Sequence, residues 1–267
     1  MAELGLSVIT VNRVFSTDFS RTFHELGKLG IRNLEFKTFF GYDAKTLKKS
    51  MDLYGMKSLG THERKRDLRD LELLKRVIEY HQILNTKYII YTLGAVNIQS
   101  EIDALIDDLN NAGRILKENG LELLYHNHAR EYEKMPNGQY KMDYVLERVD
   151  PEYANLELDV LYLNGAHGID VKPYMERMVD RIKVVHVKDG IVDFRRTDLQ
   201  DDFMCCVGKP VGDGIVQIQE TVDFVNSSKI PYMLIENEAP SANCFEEVKM
   251  SRDRLFEDYG FKEERTI

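Results

Sequence analysis

The chain has 267 residues, with 36 Lys and Arg against 45 Asp and Glu, for a formal charge of −9. That balance disfavours a nucleic-acid groove, because clustered cations must displace the counterions of a phosphate backbone, and here they interleave with acids, as in Glu63-Arg64-Lys65-Arg66-Asp67. Hydrophobic residues at 43% and charged residues at 30% supply a large core and exclude a disordered chain. No apolar run approaches the ~20 residues of a membrane helix, and Met1-Ala2-Glu3-Leu4-Gly5 lacks the basic start and apolar stretch of a signal peptide. The expectation is a cytoplasmic protein without membrane contact. Cys205, Cys206 and Cys244 form no CxxC pair, which speaks against a disulfide scaffold and a structural zinc site.

Along the chain, short β-branched or aromatic runs alternate with segments of helical apolar spacing, the pattern of repeated βα units around a parallel sheet. Strands are predicted at residues 4–10, 33–36, 57–61, 88–93, 121–126, 155–159, 182–187 and 232–236. After the third, Leu71, Leu74, Ile78 and His81 make a helical stripe; after the fourth, Ile102, Leu105, Ile106, Leu109 and Leu116 make another. Gly30, Gly55 and Gly120 each stand before a strand where a left-handed helix cap belongs. Between Asp189 and Ile215 lies a long polar segment with Pro210 and glycines 190, 208, 212 and 214, expected to be a loop over the mouth of a barrel. Eight βα units predict one domain, residues 1–267, folded as a single (β/α)8 barrel. The competitor is an open doubly wound sheet, but no GxGxxG follows an early strand.

Four polar clusters end predicted strands, where barrel active sites are built. The fifth strand ends in Tyr125-His126-Asn127-His128, whose period of two places His126 and His128 on one face. The sixth pairs Glu157 with Asp159, the seventh His186 with Lys188, and the eighth Glu236 with Glu238. Ionised groups at the ends of apolar runs need partners, and a divalent cation satisfies several at once. Imidazole with carboxylate oxygen suits Mn²⁺, with Co²⁺, Mg²⁺, Fe²⁺ and Zn²⁺ as alternatives, and the ligand set expected is His126, Asp159, His186 and Glu236. For any one of these residues a buried ion pair is the more common role; four together favour a metal. Glu35 and His62 end the second and third strands and are expected to bind a substrate hydroxyl or to orient a ligand, with a rim salt bridge as the alternative.

Other motifs carry less. His24, His81 and His167 fall on predicted helices or a loop and are expected to be structural. Val207-Gly208-Lys209-Pro210 lacks the Ser or Thr and the upstream glycine of a phosphate loop, so no ATP site is expected. Gly212-Asp213-Gly214 suits a tight turn, or backbone N–H groups turned to an anion. Cys205 and Cys206 have no base partner in the sequence and receive no catalytic role.

The order of these motifs resembles the sugar phosphate isomerase/epimerase superfamily of xylose-isomerase-like barrels. The resemblance runs through Asn33-Leu34-Glu35, Gly60-Thr61-His62, Tyr125-His126-Asn127-His128, Glu157-Leu158-Asp159, His186-Val187-Lys188-Asp189, Val211-Gly212-Asp213-Gly214 and Ile235-Glu236. It implies one divalent metal at the barrel mouth, with Asp159, His186 and Glu236 on the family's ligand positions. Epimerases of the family place a glutamate at the end of strand five, whereas here that end reads His126-Asn127-His128. The Tyr-His-Asn-His and His-x-Lys-Asp strings look closer to the inosose dehydratase branch.

The chemistry expected is removal of a proton between a ketone and a hydroxyl that both face the metal, through an enediolate, in a sugar, sugar phosphate, keto-sugar or cyclitol. Isomerisation or epimerisation is the leading outcome and dehydration by a lyase the alternative. Glu236 is expected to act as acid/base as well as ligand, His128 or Lys188 as the second proton-transfer group, and Glu238 in substrate binding with Glu35 and His62. A non-catalytic sugar-binding barrel and, less favoured, an abasic-site endonuclease are the readings of other classes. The partner expected is a small carbohydrate or cyclitol; a homo-oligomer stays open.

Overall fold

A computed structural model of the protein describes residues 1–192 and 206–263. Eight parallel strands close a barrel: β1 (Glu3–Ser7), β2 (Asn33–Phe36), β3 (Lys57–Glu63), β4 (Tyr88–Tyr91), β5 (Glu122–His126), β6 (Ala154–Asp159), β7 (Ile182–Val192) and β9 (Tyr232–Glu236). Each pairs with the next in order, β7 pairs with β9, and β9 returns to β1. The chain is therefore a single (β/α)8 barrel, as the eight-unit pattern predicts.

The helices form where the apolar stripes place them. Helix Gln99–Glu118 buries Ile102, Leu105, Ile106, Leu109 and Leu116, and helix Leu71–Leu84 buries Leu74, Ile78 and His81 against the sheet. Leu71, the first residue of its stripe, is instead 62% exposed, because it opens the helix on the side away from the core. Gly30, Gly55 and Gly120 take φ of +76°, +67° and +79°. Each turns the chain so that the next N–H reaches back to a helix carbonyl: Ile31 to Leu26, Met56 to Met51 and Leu121 to Leu116. These closures leave each helix aimed into its following strand.

Inside the barrel the side chains stack in levels. A lower apolar group of Leu59, Tyr88, Ile90, Leu124, Val184 and Leu234 is separate from the main core between sheet and helices. Two residues further along the same faces, His126 follows Leu124, His186 follows Val184 and Glu236 follows Leu234, so the strand period alone carries these polar groups inward above an apolar plug.

The segment after β7 differs from the expected long loop. β7 continues to Val192 and Cys206–Lys209 returns beside it as β8, antiparallel, pairing Asp189 with Lys209 and Val192 with Cys206. Glycine makes this return possible, since a Cβ on Gly190 would lie 2.5 Å from the carbonyl oxygen of Val207. Residues 193–205, with Cys205, lie outside the described residues. Cys206 is buried.

The Gly212-Asp213-Gly214 turn does present its N–H groups to an anion, and the anion is the chain's own Asp189. One carboxylate oxygen accepts from Gly212 and Gly214 at 2.9 and 3.0 Å, and the other from Gly190 and Val216 at 2.8 and 3.2 Å. Asp189→Ala should strip four backbone donors, one buried and three part-buried, of their acceptor and cost about 3 kcal/mol of stability, read from urea unfolding. A loss below about 1 kcal/mol would show that the turn holds without the carboxylate.

Candidate active site and metal centre

Strand register brings the polar ends together. His126 pairs with Glu157 across β5 and β6, Asp159 with His186 across β6 and β7, and Lys188 with Glu236 across β7 and β9. Glu35 and His62 complete the ring from β2 and β3, joined by a hydrogen bond of 2.8 Å. None of these eight side chains belongs to a residue more than 6% exposed.

His186 is the hub. Its Nε2 lies 3.1 Å from Glu35 Oε1 and 3.2 Å from Glu157 Oε1, and its Nδ1 lies 3.2 Å from Glu236 Oε2. His126 Nδ1 is 2.9 Å from the same Glu157 oxygen. Above this level Lys188 Nζ reaches Asp159 at 3.3 Å, Glu236 at 3.0 Å and Glu238 at 2.6 Å, and Lys37 stands 3.6 Å from Glu238.

Burial and neighbouring charge push the groups of the ring in opposite directions. Burial pushes the Glu157 carboxyl well above its ordinary range, and the charge of Glu35 adds to the effect. Burial works the same way on Glu236, but the charges of Lys188 and His186 outweigh it and hold that carboxyl well below its range. Burial would discharge His186 and Lys188 also, yet the carboxyl groups around each keep both well above their usual values. For His126 and His128 burial, reinforced by nearby cations, outweighs the opposing charge of Glu236 and holds both rings well below theirs. The Asp159 carboxyl is pushed up to about 6 by burial, with Lys188 pulling the other way.

The donor set fits a divalent cation. Glu35 Oε2, Glu157 Oε2, Asp159 Oδ2, both oxygens of Glu236 and both ring nitrogens of His186 are buried and make no hydrogen bond among the described residues. Ion pairs offset part of the cost of burying these atoms, and a cation would draw on several of them together. Two compact groups offer donor atoms within 4.8 Å of one another: His62, His126, Glu157 and His186, and Glu35, His186 and Glu236.

Of the residues singled out in the sequence, His126, His186 and Glu236 fall in these groups, and so do Glu35 and His62, which were expected only to bind substrate or orient a ligand. Asp159 stands outside both. Its Oδ1 accepts the N–H of Leu161 at 2.8 Å while its Oδ2 faces Lys188. His128 lies beside His126, ring centroids 5.0 Å apart, and Glu238 meets Lys188. Sequence reasoning missed Glu157 as a donor, although it shares a strand face with Asp159, and missed Lys37 and Tyr162. His81 is structural as expected, held between Glu63 at 2.9 Å and Thr86 at 3.0 Å.

A closed βα barrel with imidazole, carboxylate and ammonium groups converging at the C-terminal ends of its strands has the architecture of a barrel enzyme. The chain belongs to the xylose isomerase-like TIM barrel family, whose model matches residues 23–256. It is 25% identical over 197 residues to an inosose dehydratase from Mesomycoplasma hyopneumoniae, a match that covers 64% of this chain and spans only 62% of that protein's length. Its fold is that of a sugar phosphate isomerase/epimerase from Parabacteroides distasonis, with TM-score 0.81, 22% identity and coverage of 98% and 96% of the two chains. It also matches the IolI protein, solved with a zinc atom bound, at TM-score 0.74, 14% identity and coverage of 96% and 98%. Among the described residues no helix is long and apolar enough to cross a membrane.

If the ring takes up a cation, protein stripped with EDTA should gain several degrees in melting temperature when Mn²⁺ is restored, because a ligand that binds only the folded state stabilises it. His186→Ala should abolish that gain. An unchanged melting temperature in the wild type would contradict the assignment.

Proposed function

We propose that the chain is a divalent-metal-dependent enzyme that removes a proton beside the carbonyl of a keto-sugar or keto-cyclitol and then expels a β-hydroxyl, giving dehydration. The observation that carries this reading is the buried ring around His186, whose oxygens and nitrogens without hydrogen bonds among the described residues include donors gathered within 4.8 Å of one another, as a cation requires. His126, His186 and Glu236 would hold the ion, with Asp159, which lies outside both donor groups, as the fourth expected ligand. When bound, a divalent ion supplies a Lewis acid for a carbonyl oxygen and its neighbouring hydroxyl.

The remaining work falls to the chain's own side chains. His128, kept uncharged by burial, takes the proton from carbon. Lys188, kept charged by Asp159, Glu238 and Glu236, gives a proton to the departing hydroxyl, so that water leaves and the ammonium is regenerated from solvent. Glu35, His62 and Glu238 would hold substrate hydroxyl groups. The histidines at the end of β5, where a two-carboxylate epimerase would carry a glutamate, and the inosose dehydratase relative support dehydration over epimerisation.

A second reading, isomerisation or epimerisation with Glu236 as acid/base, is favoured by one observation: Glu157 and Glu236 lie against opposite nitrogens of the His186 ring, as two bases on opposite sides of a substrate would.

An NMR screen of inososes, ketoses and 3-keto-glycosides in D₂O with Mn²⁺ separates the outcomes. Dehydration should give an unsaturated or diketone product from a keto-cyclitol, and His128→Ala should slow it by about 100-fold or more. A deuterated epimer or isomer in place of that product would establish the second reading. Absence of both deuterium at carbon and any eliminated product across the screen would contradict proton abstraction altogether.

A further inference from the structure

The turn after β6 is a π-helical stretch, Leu161–Gly165, and it carries a side chain that none of the motifs announced. Single π turns are rare and tend to occur where a helix must present a residue it would otherwise turn away. Here Asp159 fixes the turn, its Oδ1 accepting from the N–H of Leu161 at 2.8 Å and of Tyr162 at 3.4 Å. The residue presented is Tyr162, which is completely buried.

Tyr162 touches both groups of the proton-transfer pair. Its ring lies against that of His128, centroids 4.9 Å apart and planes inclined by 43°, and Lys188 Nζ stands 4.5 Å from its ring centroid. Its hydroxyl lies 3.3 Å from Glu238 Oε2, to which it donates, and 3.5 Å from Lys188 Nζ, which donates to it. Lys188 and Glu238 are themselves joined at 2.6 Å. The phenol thus closes a triangle with the ammonium and the carboxylate, while its ring backs the imidazole.

The geometry points to Tyr162 as a positioning residue that fixes the Lys188 ammonium, and through it the acid side of the reaction. A lysine has four rotatable bonds, and an ammonium that must meet a leaving oxygen gains from an uncharged partner beside the carboxylates of Asp159, Glu236 and Glu238 that already surround it. The hydroxyl supplies that partner, and the ring face supplies a weakly attractive wall that costs no competing charge. This assignment rests on the proposed function for its catalytic meaning, but not for the contact between the two side chains.

Two measurements on the metal-loaded protein test it. In the first, Tyr162→Phe should keep its metal content and melting temperature and lose about tenfold in kcat with little change in KM, since the ring stays and only the hydroxyl goes. Against a Lys188→Ala background the same change should cost nothing further; losses that multiply would overturn the assignment. In the second, ¹⁵N-labelled lysine should show an ordered ammonium resonance that disappears in Lys188→Arg. Tyr162→Phe should shift or broaden it, and an unchanged resonance would overturn the assignment. A protein that turns over no keto-sugar would defeat the functional reading alone, because the resonance still decides the part played by Tyr162.

Discussion

The structure depends on one electrostatic constraint, the burial of a closed ring of ionisable side chains inside a barrel. Carboxyl groups from β2, β6 and β9 and imidazoles from β3, β5 and β7 all point inward at one level, cut off from water by the strands and by the apolar plug beneath. Isolated charges there would cost many kcal/mol, so the groups must share protons or share a cation. Within the chain itself, the carboxyl groups that favour the charged forms of His186 and Lys188 supply part of the balance, and the burial that favours the uncharged form of Glu157 supplies another part. Oxygens without hydrogen bonds remain among the described residues, and a divalent ion could draw on them.

Strand β7 shows how a single short string serves several purposes. Its residues alternate sides, so His186 and Lys188 enter the barrel at successive levels, one as the centre of the ring and the other above it. Asp189, turned the other way, gathers four backbone N–H groups and ties down the glycine turn that follows β8. Asn127 does comparable work between β5 and β6, exchanging hydrogen bonds with the backbone of Asp159 at 2.9 and 3.2 Å. The inward residues form the polar ring and their outward neighbours hold those residues at their depth.

Much of this was legible in the sequence, for identifiable reasons. Glycine caps and apolar stripes mark each βα unit locally, and the ranges of β2 and β9 follow from composition alone. The β8 return was not legible, because four residues ending near Gly208 and Pro210 read as loop and reveal themselves as a strand only through pairing with an extended β7. In the site, the two-residue period told which face each residue takes but not its depth. A step of two residues is about 6.6 Å, enough to separate Asp159 from the donors around His186 while Glu157 joins them. Tyr162 left no periodic trace, since a π turn breaks the helical spacing that pattern reading relies on.

Anomalous diffraction at the manganese edge, from a crystal soaked in Mn²⁺, addresses the ring most directly. The account predicts one strong peak per chain inside the barrel mouth, in contact with His186 and Glu236. A map with manganese only on surface carboxylates, and nothing among those buried donors, would contradict it.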